Sequence, residues 1–423
     1  MNRKTWALVA CWEAGEDESM TELGTVLRGD AVVPEGVVRD AGVVLVGDRI
    51  AWVGRAEEVP GPWGSALGVP APSGALLLPG LVDVHNHGGG GASFPDAGTR
   101  AEVRTACEEH LRCGTTSLVA SLVTASPAVL VERCALLAEA ADDGDLVGVH
   151  VEGPFLSGVR AGAQHPGDLC AGDPRLVDEL VAAARGRLVS MTVAPEVLGV
   201  ANGRAGGSDV LSALVDAGVL VSFGHTDASY EQMAAALGRV RALTAGSRRA
   251  TVTHLFNGMR PWHHRDPGPV PACLDAAARG ELVVELVADG AHLAAGTVRA
   301  VADLVGPGGW MLVSDATAAA GLGDGAYRLG PVDVVVADGV ARLTDAQDSL
   351  AGSTSHLLDQ VRWAVTAGIA LVDAVRAAST TPAAVAGLSD VGALRPGLRA
   401  DVLVTDADLV PQQVWRSGRR VVG

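Results

Sequence analysis

The chain has 423 residues, 48% of them hydrophobic but only 3% aromatic, and a formal net charge of −17. That length accommodates one large α/β domain and a smaller companion, and a core drawn from Val, Leu and Ala suits helices packed on parallel strands. So acidic a chain is a poor partner for nucleic acid or an anionic membrane surface, and neither is expected.

At the N-terminus the apolar patch Trp6 to Cys11 follows Arg3 and Lys4, but it is shorter than a signal-peptide core and acidic residues follow at once. Residues 1–19 are therefore read as a disordered extension ahead of Met20. No apolar stretch approaches the ~20 residues of a membrane span. The six cysteines form no C-x-x-C pair and fit a reducing, cytoplasmic setting.

From Val32 to Val53 short β-rich runs alternate with turns, and Gly47-Asp48 is a hairpin signal. The last twenty or so residues, from Asp401, have the same character. Residues 20–78 and 382–423 are thus expected to build one small β-sandwich domain from both chain ends, with linkers near Pro72 to Pro79 and near Thr381-Pro382.

Between them, over residues 79–381, strand-like runs alternate with Ala/Leu/Glu/Arg-rich helical stretches. The runs are 81–87, 115–123, 146–153, 187–196, 219–226, 250–257, 282–292 and 310–319, and helices are expected at 99–112, 127–141 and 229–239 among others. Eight such units predict a (β/α)8 TIM-type barrel with its chemistry at the C-terminal strand ends.

Four histidines and two carboxylates occupy those ends. His85 and His87 are two apart on a strand and so share a face, from which two neutral imidazoles can chelate one metal. Glu152 ends an apolar strand, where a buried carboxylate needs a partner, and His150 lies on the same face one layer deeper as a packing or supporting residue. His225 and His254 each end a strand. One carboxylate and two histidines, with a fourth position open, form the pattern of a catalytic divalent cation. Asp315 ends the last run, where it can take a proton from water and pass it to a leaving nitrogen; alone, it would read as a helix cap. Six such residues at five equivalent strand ends are not the product of packing.

The chain contains one lysine, Lys4, far from every barrel strand, which excludes a carboxylated lysine bridge, Schiff-base chemistry and a G-K-[ST] phosphate loop. No G-x-S-x-G elbow occurs either. The segment 257–268, after the sixth strand, is the densest basic patch near the site. Arg265 there is a charge-assisted donor for an anionic substrate group, set against the plainer reading of an Arg-Asp paired surface loop.

From Leu23 onward the chain resembles the N-acetylglucosamine-6-phosphate deacetylases of the amidohydrolase superfamily. The motifs that carry the resemblance are PGLVDVHNHG (79–88), HVEGPFLS (150–157), GHTDASYE (224–231), THLFNGMRPWHHRDPG (253–268), ADGAH (288–292), SDATAAAG (314–321), LAGS (350–353) and the broadly shared GALRPGLRADVLV (392–404). The resemblance implies Glu152, His225 and His254 as ligands of the main divalent metal, with Asp315 as acid/base. It implies a second metal at His85 and His87, sharing Glu152, in members that keep this pair, so one or two ions of Zn, Fe, Mn or Co are expected. It further implies that Asn257, Gly258 and an Arg265 supplied across a homodimer interface meet the phosphate of an amino sugar. Ala163, His292, Leu350, Ala351 and Gly352 would contact the sugar and acetyl group. After Gly162-Ala163 the family commonly has a histidine, whereas this chain has Gln164 followed by His165: either Gln164 replaces that sugar contact or the loop shifts by one residue. The expected reaction is removal of the acetyl group from N-acetylglucosamine 6-phosphate by water. A related amidohydrolase acting on another N-acyl amino sugar or a cyclic amide, and a non-catalytic barrel scaffold, are the competing readings.

Overall fold

A computed structural model describes residues 24–64, 74–202, 208–346 and 349–423. The expected extension at residues 1–19 lies outside them.

Eight parallel strands form the central sheet: Leu81–Asp83, Thr115–Leu122, Gly148–Glu152, Leu188–Val193, Leu220–Phe223, Ala250–Val252, Leu282–Leu286 and Trp310–Leu312. Each pairs with its successor in chain order, as a run of βα units dictates. All eight predicted runs contain a barrel strand, and several, such as Leu220–Phe223, Ala250–Val252 and Trp310–Leu312, stop just before the side chain that turns into the mouth. First and last strands meet through backbone bonds made within the site itself: Asp315 N–H donates to the His85 carbonyl (2.9 Å) and His87 N–H to the Ala316 carbonyl (2.7 Å).

Helices Arg100–Arg112, Pro127–Asp142 and Tyr230–Leu243 match the predicted amphipathic stretches. Thr99 and Ser229 start the first and third of these with capping boxes, each side chain accepting the N3 amide while Glu102 or Gln232 returns the bond. The main core is largely aliphatic, with Phe94, Phe155, Phe223 and Trp310 its buried aromatic residues, as the composition demanded.

The chain ends build a seven-stranded sheet in the order Arg419–Val422, Pro411–Arg416, Val402–Thr405, Leu76–Pro79, Thr25–Val33, Gly36–Val46, Arg49–Arg55. Gly47-Asp48 closes the predicted two-residue hairpin, with Val46 opposite Arg49. Leu76–Pro79 is a buried strand in the middle of this sheet rather than a linker, pairing parallel to Thr25–Val33 and antiparallel to Val402–Thr405. At the other connection Thr380–Val385 is helical, and Ala383 and Val391 pack with Val82, Val283 and Met311 of the barrel. The crossing into the small sheet thus comes near Leu394 to Ala400, which join Leu27, Val43 and Ile50 in its core.

One element had no counterpart in the sequence reading. Gly325–Leu329, Val332–Ala337 and Val340–Leu343 form a three-stranded antiparallel sheet between the last barrel strand and the helix Leu357–Thr366. Its second turn, Asp338-Gly339, has both φ values positive, the backbone of a tight hairpin. This small sheet covers Ala163 and Ala351 and brings the 349–352 segment to the barrel mouth.

Candidate metal centre and active site

At the C-terminal mouth of the barrel lies a cavity of about 330 Å³ lined by His87, Glu152, Gly162, Ala163, Gln164, His225, His254, Asn257, Gly258, His292, Asp315, Leu350 and Gly352, among others. Its polar floor is made by strand-end residues whose backbones are held in unusual conformations. His225, His254 and Asp315 have φ of +47°, +29° and +48°. Non-glycine residues reach that region only when surrounding structure over-determines them, at a cost of order ~1–3 kcal/mol each. The turn out of the ladder aims these side chains across the barrel axis instead of along the sheet.

Two triads of ligand atoms result, one of Glu152, His225 and His254, the other of His85, His87 and Asp315, with the atoms in each within 4.8 Å of one another. All six residues are buried. Glu152 Oε1 is 3.0 Å from both His225 Nε2 and His254 Nε2. Glu152 Oε2 is 3.4 Å from His87 Nε2, and Asp315 Oδ1 is 3.3 Å from the same nitrogen and 3.5 Å from His85 Nε2. Glu152 therefore presents one oxygen to each triad.

The outer nitrogens reveal what belongs between these atoms. His225 Nδ1–H donates to the Arg160 carbonyl (2.8 Å), so its neutral ring directs a lone pair at Glu152 Oε1. His85 Nδ1–H donates to Glu285 Oε2 (3.0 Å) and His87 Nδ1–H to the Ser121 carbonyl (3.2 Å), which leaves two Nε2 lone pairs facing each other at 3.0 Å. Acceptors in such contact repel unless a proton or a cation lies between them. With protons there, burial lowers the imidazole pKa values but the adjacent carboxylates outweigh it, so those of His85, His87 and His225 all rise. Burial likewise opposes ionisation of Glu152 and Asp315, yet the facing imidazoles hold both well below the usual carboxylate range. A divalent cation would satisfy the same lone pairs without the protons, and imidazole with carboxylate is the donor set such cations take. The clusters suit one or two metal ions, and Glu285 fixes the His85 ring from its outer nitrogen.

Beneath the triads a neutral network replaces charge. Asn86 N–H donates to Ser121 Oγ, Ser121 faces His150 Nδ1 at 2.9 Å, and His150 Nε2–H donates to Thr192 Oγ1 at 2.8 Å. Burial and the neighbouring imidazoles push His150 well below the ordinary histidine range. It is thus a supporting residue, as its deeper position on the strand suggested. Asp83 is wholly buried and accepts from Ser314 Oγ (2.5 Å) and Asn86 Nδ2 (3.1 Å), tying the first strand end to the last. Asp289 accepts from His292 Nδ1–H (2.7 Å) and orients that imidazole, whose Nε2 reaches 4.0 Å from Asp315 Oδ2.

Asp83, Glu285 and Asp289 escaped the sequence reading. A signal was present nonetheless for Glu285, an acid in the otherwise apolar strand Leu282–Leu286, the same burial argument that drew attention to Glu152.

Ala163, Asn257, Gly258, His292, Leu350 and Gly352 line the cavity as expected residues. Gln164 lines it too, but both ends of its amide are engaged: Oε1 accepts from Thr124 N–H (2.7 Å) and Nε2 donates to Glu152 Oε2 (2.8 Å). It orients the shared carboxylate, so its effect on a sugar would pass through Glu152. Ala351 turns away into the core under the three-stranded sheet. Arg265 is exposed on the 260–268 loop, away from the cavity formed by its own chain. Arg260, not Arg265, makes that loop's ion pair with Asp266.

A sequence profile of the amidohydrolase family covers residues 76–421. N-acetylglucosamine-6-phosphate deacetylase from Lysinibacillus sphaericus is 32% identical over 353 residues, 82% of this chain and 86% of that one, and the Homo sapiens enzyme of that name is 33% identical over 360 residues, 82% and 84% of the two chains. Among solved structures, a variant of the Mycobacterium smegmatis N-acetyl-D-glucosamine-6-phosphate deacetylase in complex with N-acetyl-D-glucosamine-6-phosphate superposes with a TM-score of 0.83 at 36% identity, covering 95% of this chain and all of that chain. The chain belongs to the amidohydrolase family and is closely related to the N-acetylglucosamine-6-phosphate deacetylases.

Proposed function

We propose that this protein removes the acetyl group from N-acetylglucosamine 6-phosphate, yielding acetate and glucosamine 6-phosphate. The observation that carries the reading is the meeting of Glu152, His225 and His254 with Asp315 on one cavity floor, in a chain 36% identical to a deacetylase solved with that phosphorylated sugar.

Glu152, His225 and His254 would hold the principal cation, and His85 and His87, with Glu152 shared and Asp315 alongside, a second. Zinc is the expected ion, with iron, manganese or cobalt compatible with the same ligands. When bound, such a cation polarises an amide carbonyl and acidifies water.

The remaining work falls to side chains. Asp315 is ionised and faces the cavity, so it would accept a proton from the attacking water and then deliver it to the amide nitrogen as the C–N bond breaks. His292, oriented by Asp289, would donate from Nε2 to the substrate in its protonated form, which, against burial, Asp289 and Asp315 favour. Gln164 would hold Glu152 in place for both triads. Ala163, Leu350 and Gly352 would bound the sugar, and Asn257 with Gly258 would meet its phosphate. An exposed Arg265 on a loop next to those two residues supports its donation to a neighbouring subunit's phosphate pocket, hence a homodimer.

Among the described residues no helix is long and apolar enough to cross a membrane, and Cys107, Cys113, Cys134, Cys170 and Cys273 are unpaired. Both are compatible with a cytoplasmic enzyme acting on a small sugar phosphate. The test compares acetate release from N-acetylglucosamine 6-phosphate and from the unphosphorylated sugar, with metal counted in the same sample. Absence of release from the phosphorylated sugar would overturn the proposal, while equal turnover of both would favour the broader N-acyl hydrolase reading.

A further inference from the structure

A third group of metal-competent side chains lies outside the catalytic cavity. Glu109 is on the last turn of the helix Arg100–Arg112, Cys113 caps that helix one turn later, and His356 caps the start of the helix Leu357–Thr366. Their ligand atoms lie within 4.8 Å of one another, as in each catalytic triad. Glu109 and Cys113 are four apart and share a helix face; His356 closes the set from the other element.

The details match those of the ligands in the catalytic cavity. His356 Nδ1 lies 3.2 Å from Asp359 Oδ2 and Nε2 3.0 Å from Glu109 Oε1; with the ring proton kept on Nδ1 by Asp359, a cation in place of the Nε2 proton would take the nitrogen and the carboxylate together. His85 shows the same arrangement, with Nδ1 on Glu285 and Nε2 facing the other ligands. A carboxylate behind the ring is the usual support of a ligating histidine. Glu109 is also packed against Gly321, where a β-carbon would come within 2.1 Å of Oε1, so the carboxylate is held in place. Tetrahedral zinc, with bonds of ~2.0 Å to nitrogen or oxygen and ~2.3 Å to sulfur, spaces its ligands by roughly 3.3–3.5 Å. His356 Nε2 and Glu109 Oε1 are 3.0 Å apart and the Cys113 sulfur lies within 4.8 Å of both, so small side-chain rotations reach that spacing.

We propose that Glu109, Cys113 and His356 form a structural metal site, separate from the catalytic centre, for a thiophilic divalent cation of the zinc class. The thiolate sets the class, because sulfur with imidazole favours zinc over magnesium or calcium. Asp359 acts as the positioning residue for His356. The bound ion joins the end of the Arg100–Arg112 helix to the segment that follows Leu350–Gly352. On the same helical turn His110 Nε2–H donates to the Gly88 carbonyl (2.8 Å), next to the His85–His87 segment. The site therefore braces the cavity rim from two sides.

Cobalt(II) provides the test, because thiolate ligation produces an intense sulfur-to-cobalt charge-transfer absorption and the catalytic donor set contains no sulfur. The full-length protein loaded with cobalt(II) should show this band, lose it in Cys113→Ala, and lose one equivalent of bound metal with it. Zinc should block alkylation of Cys113 in the wild-type protein. If Cys113→Ala does not fold, Glu109→Gln serves instead and should raise the half-saturating cobalt concentration for the band at least about tenfold. No band in the wild type, a band that survives Cys113→Ala, or an unchanged titration in Glu109→Gln would each overturn the proposal.

Discussion

Replacing Asp315 with asparagine isolates the proposed proton transfer from everything else that residue does. The side chain keeps its shape, and the backbone bonds that pin it, Asp315 N–H to the His85 carbonyl and Ser353 N–H to the Asp315 carbonyl, are untouched. Asparagine also tolerates the left-handed backbone at φ +48°, so no folding penalty obscures the result. What disappears is a carboxylate whose ionised form the neighbouring His85, His87 and His254 favour against the cost of burial. General acid/base catalysis contributes about 10²- to 10⁴-fold, or roughly 3–5 kcal/mol of barrier at about 1.36 kcal/mol per factor of ten. The expected outcome is a fall of that size in the rate of acetate release. Metal at Glu152, His225 and His254 should stay at the wild-type level, since Asp315 belongs to the other triad. A turnover number within about tenfold of wild type at equal metal content would refute the assigned role.

Four further outcomes follow from the same geometry. Glu285→Ala removes the acceptor that fixes His85 Nδ1 and should weaken metal binding at the His85–His87 pair about 10- to 100-fold, with a smaller loss at the other triad through the His254 N–H that the same oxygen accepts, as a competitive chelator titration will read. Gln164→Ala strips a buried partner from Thr124 N–H and from Glu152 and should cost about 1–3 kcal/mol of stability in denaturant unfolding; an unchanged midpoint would show that these bonds are replaced by water. Acidification should release metal. Burial lowers the imidazoles of His85, His87 and His225, but nearby carboxylates raise them further, so each holds its proton to higher pH than a free histidine. Each proton that must leave before ligation weakens binding by up to about tenfold per pH unit below its pKa, and equilibrium dialysis across descending pH should record loss, never gain, of metal. Finally, chelation should lower the thermal midpoint and added zinc restore it, because a ligand at about 100 times its Kd stabilises the folded state by about 2.7 kcal/mol.

Much of this molecule is readable along the chain because the responsible forces are local. The eight strands announce themselves as short apolar runs between amphipathic helices, and the helix boundaries at Thr99 and Ser229 follow from side chains within one turn. A repeated βα order leaves few topologies open, and a barrel puts equivalent strand ends at one mouth. Glu152, His225, His254 and Asp315 could therefore be gathered from scattered positions before any coordinate was known. The hairpin at Asp338-Gly339 is equally local, set by an adjacent Asp-Gly pair with positive φ.

What needed the tertiary structure were relations between groups remote in sequence, where no periodicity records which side chains meet. Glu285 looks like any acid on a strand until His85 is found 3.0 Å away. Gln164 reads as a sugar contact until both ends of its amide are seen to be committed, and Ala351 and Arg265 sit beside motif residues in sequence yet point away from the cavity in space. The division has one physical cause. Residue type and spacing determined which side chains could ligate, ionise or cap, whereas three-dimensional packing alone decided which lone pairs face one another and so require a shared cation or proton.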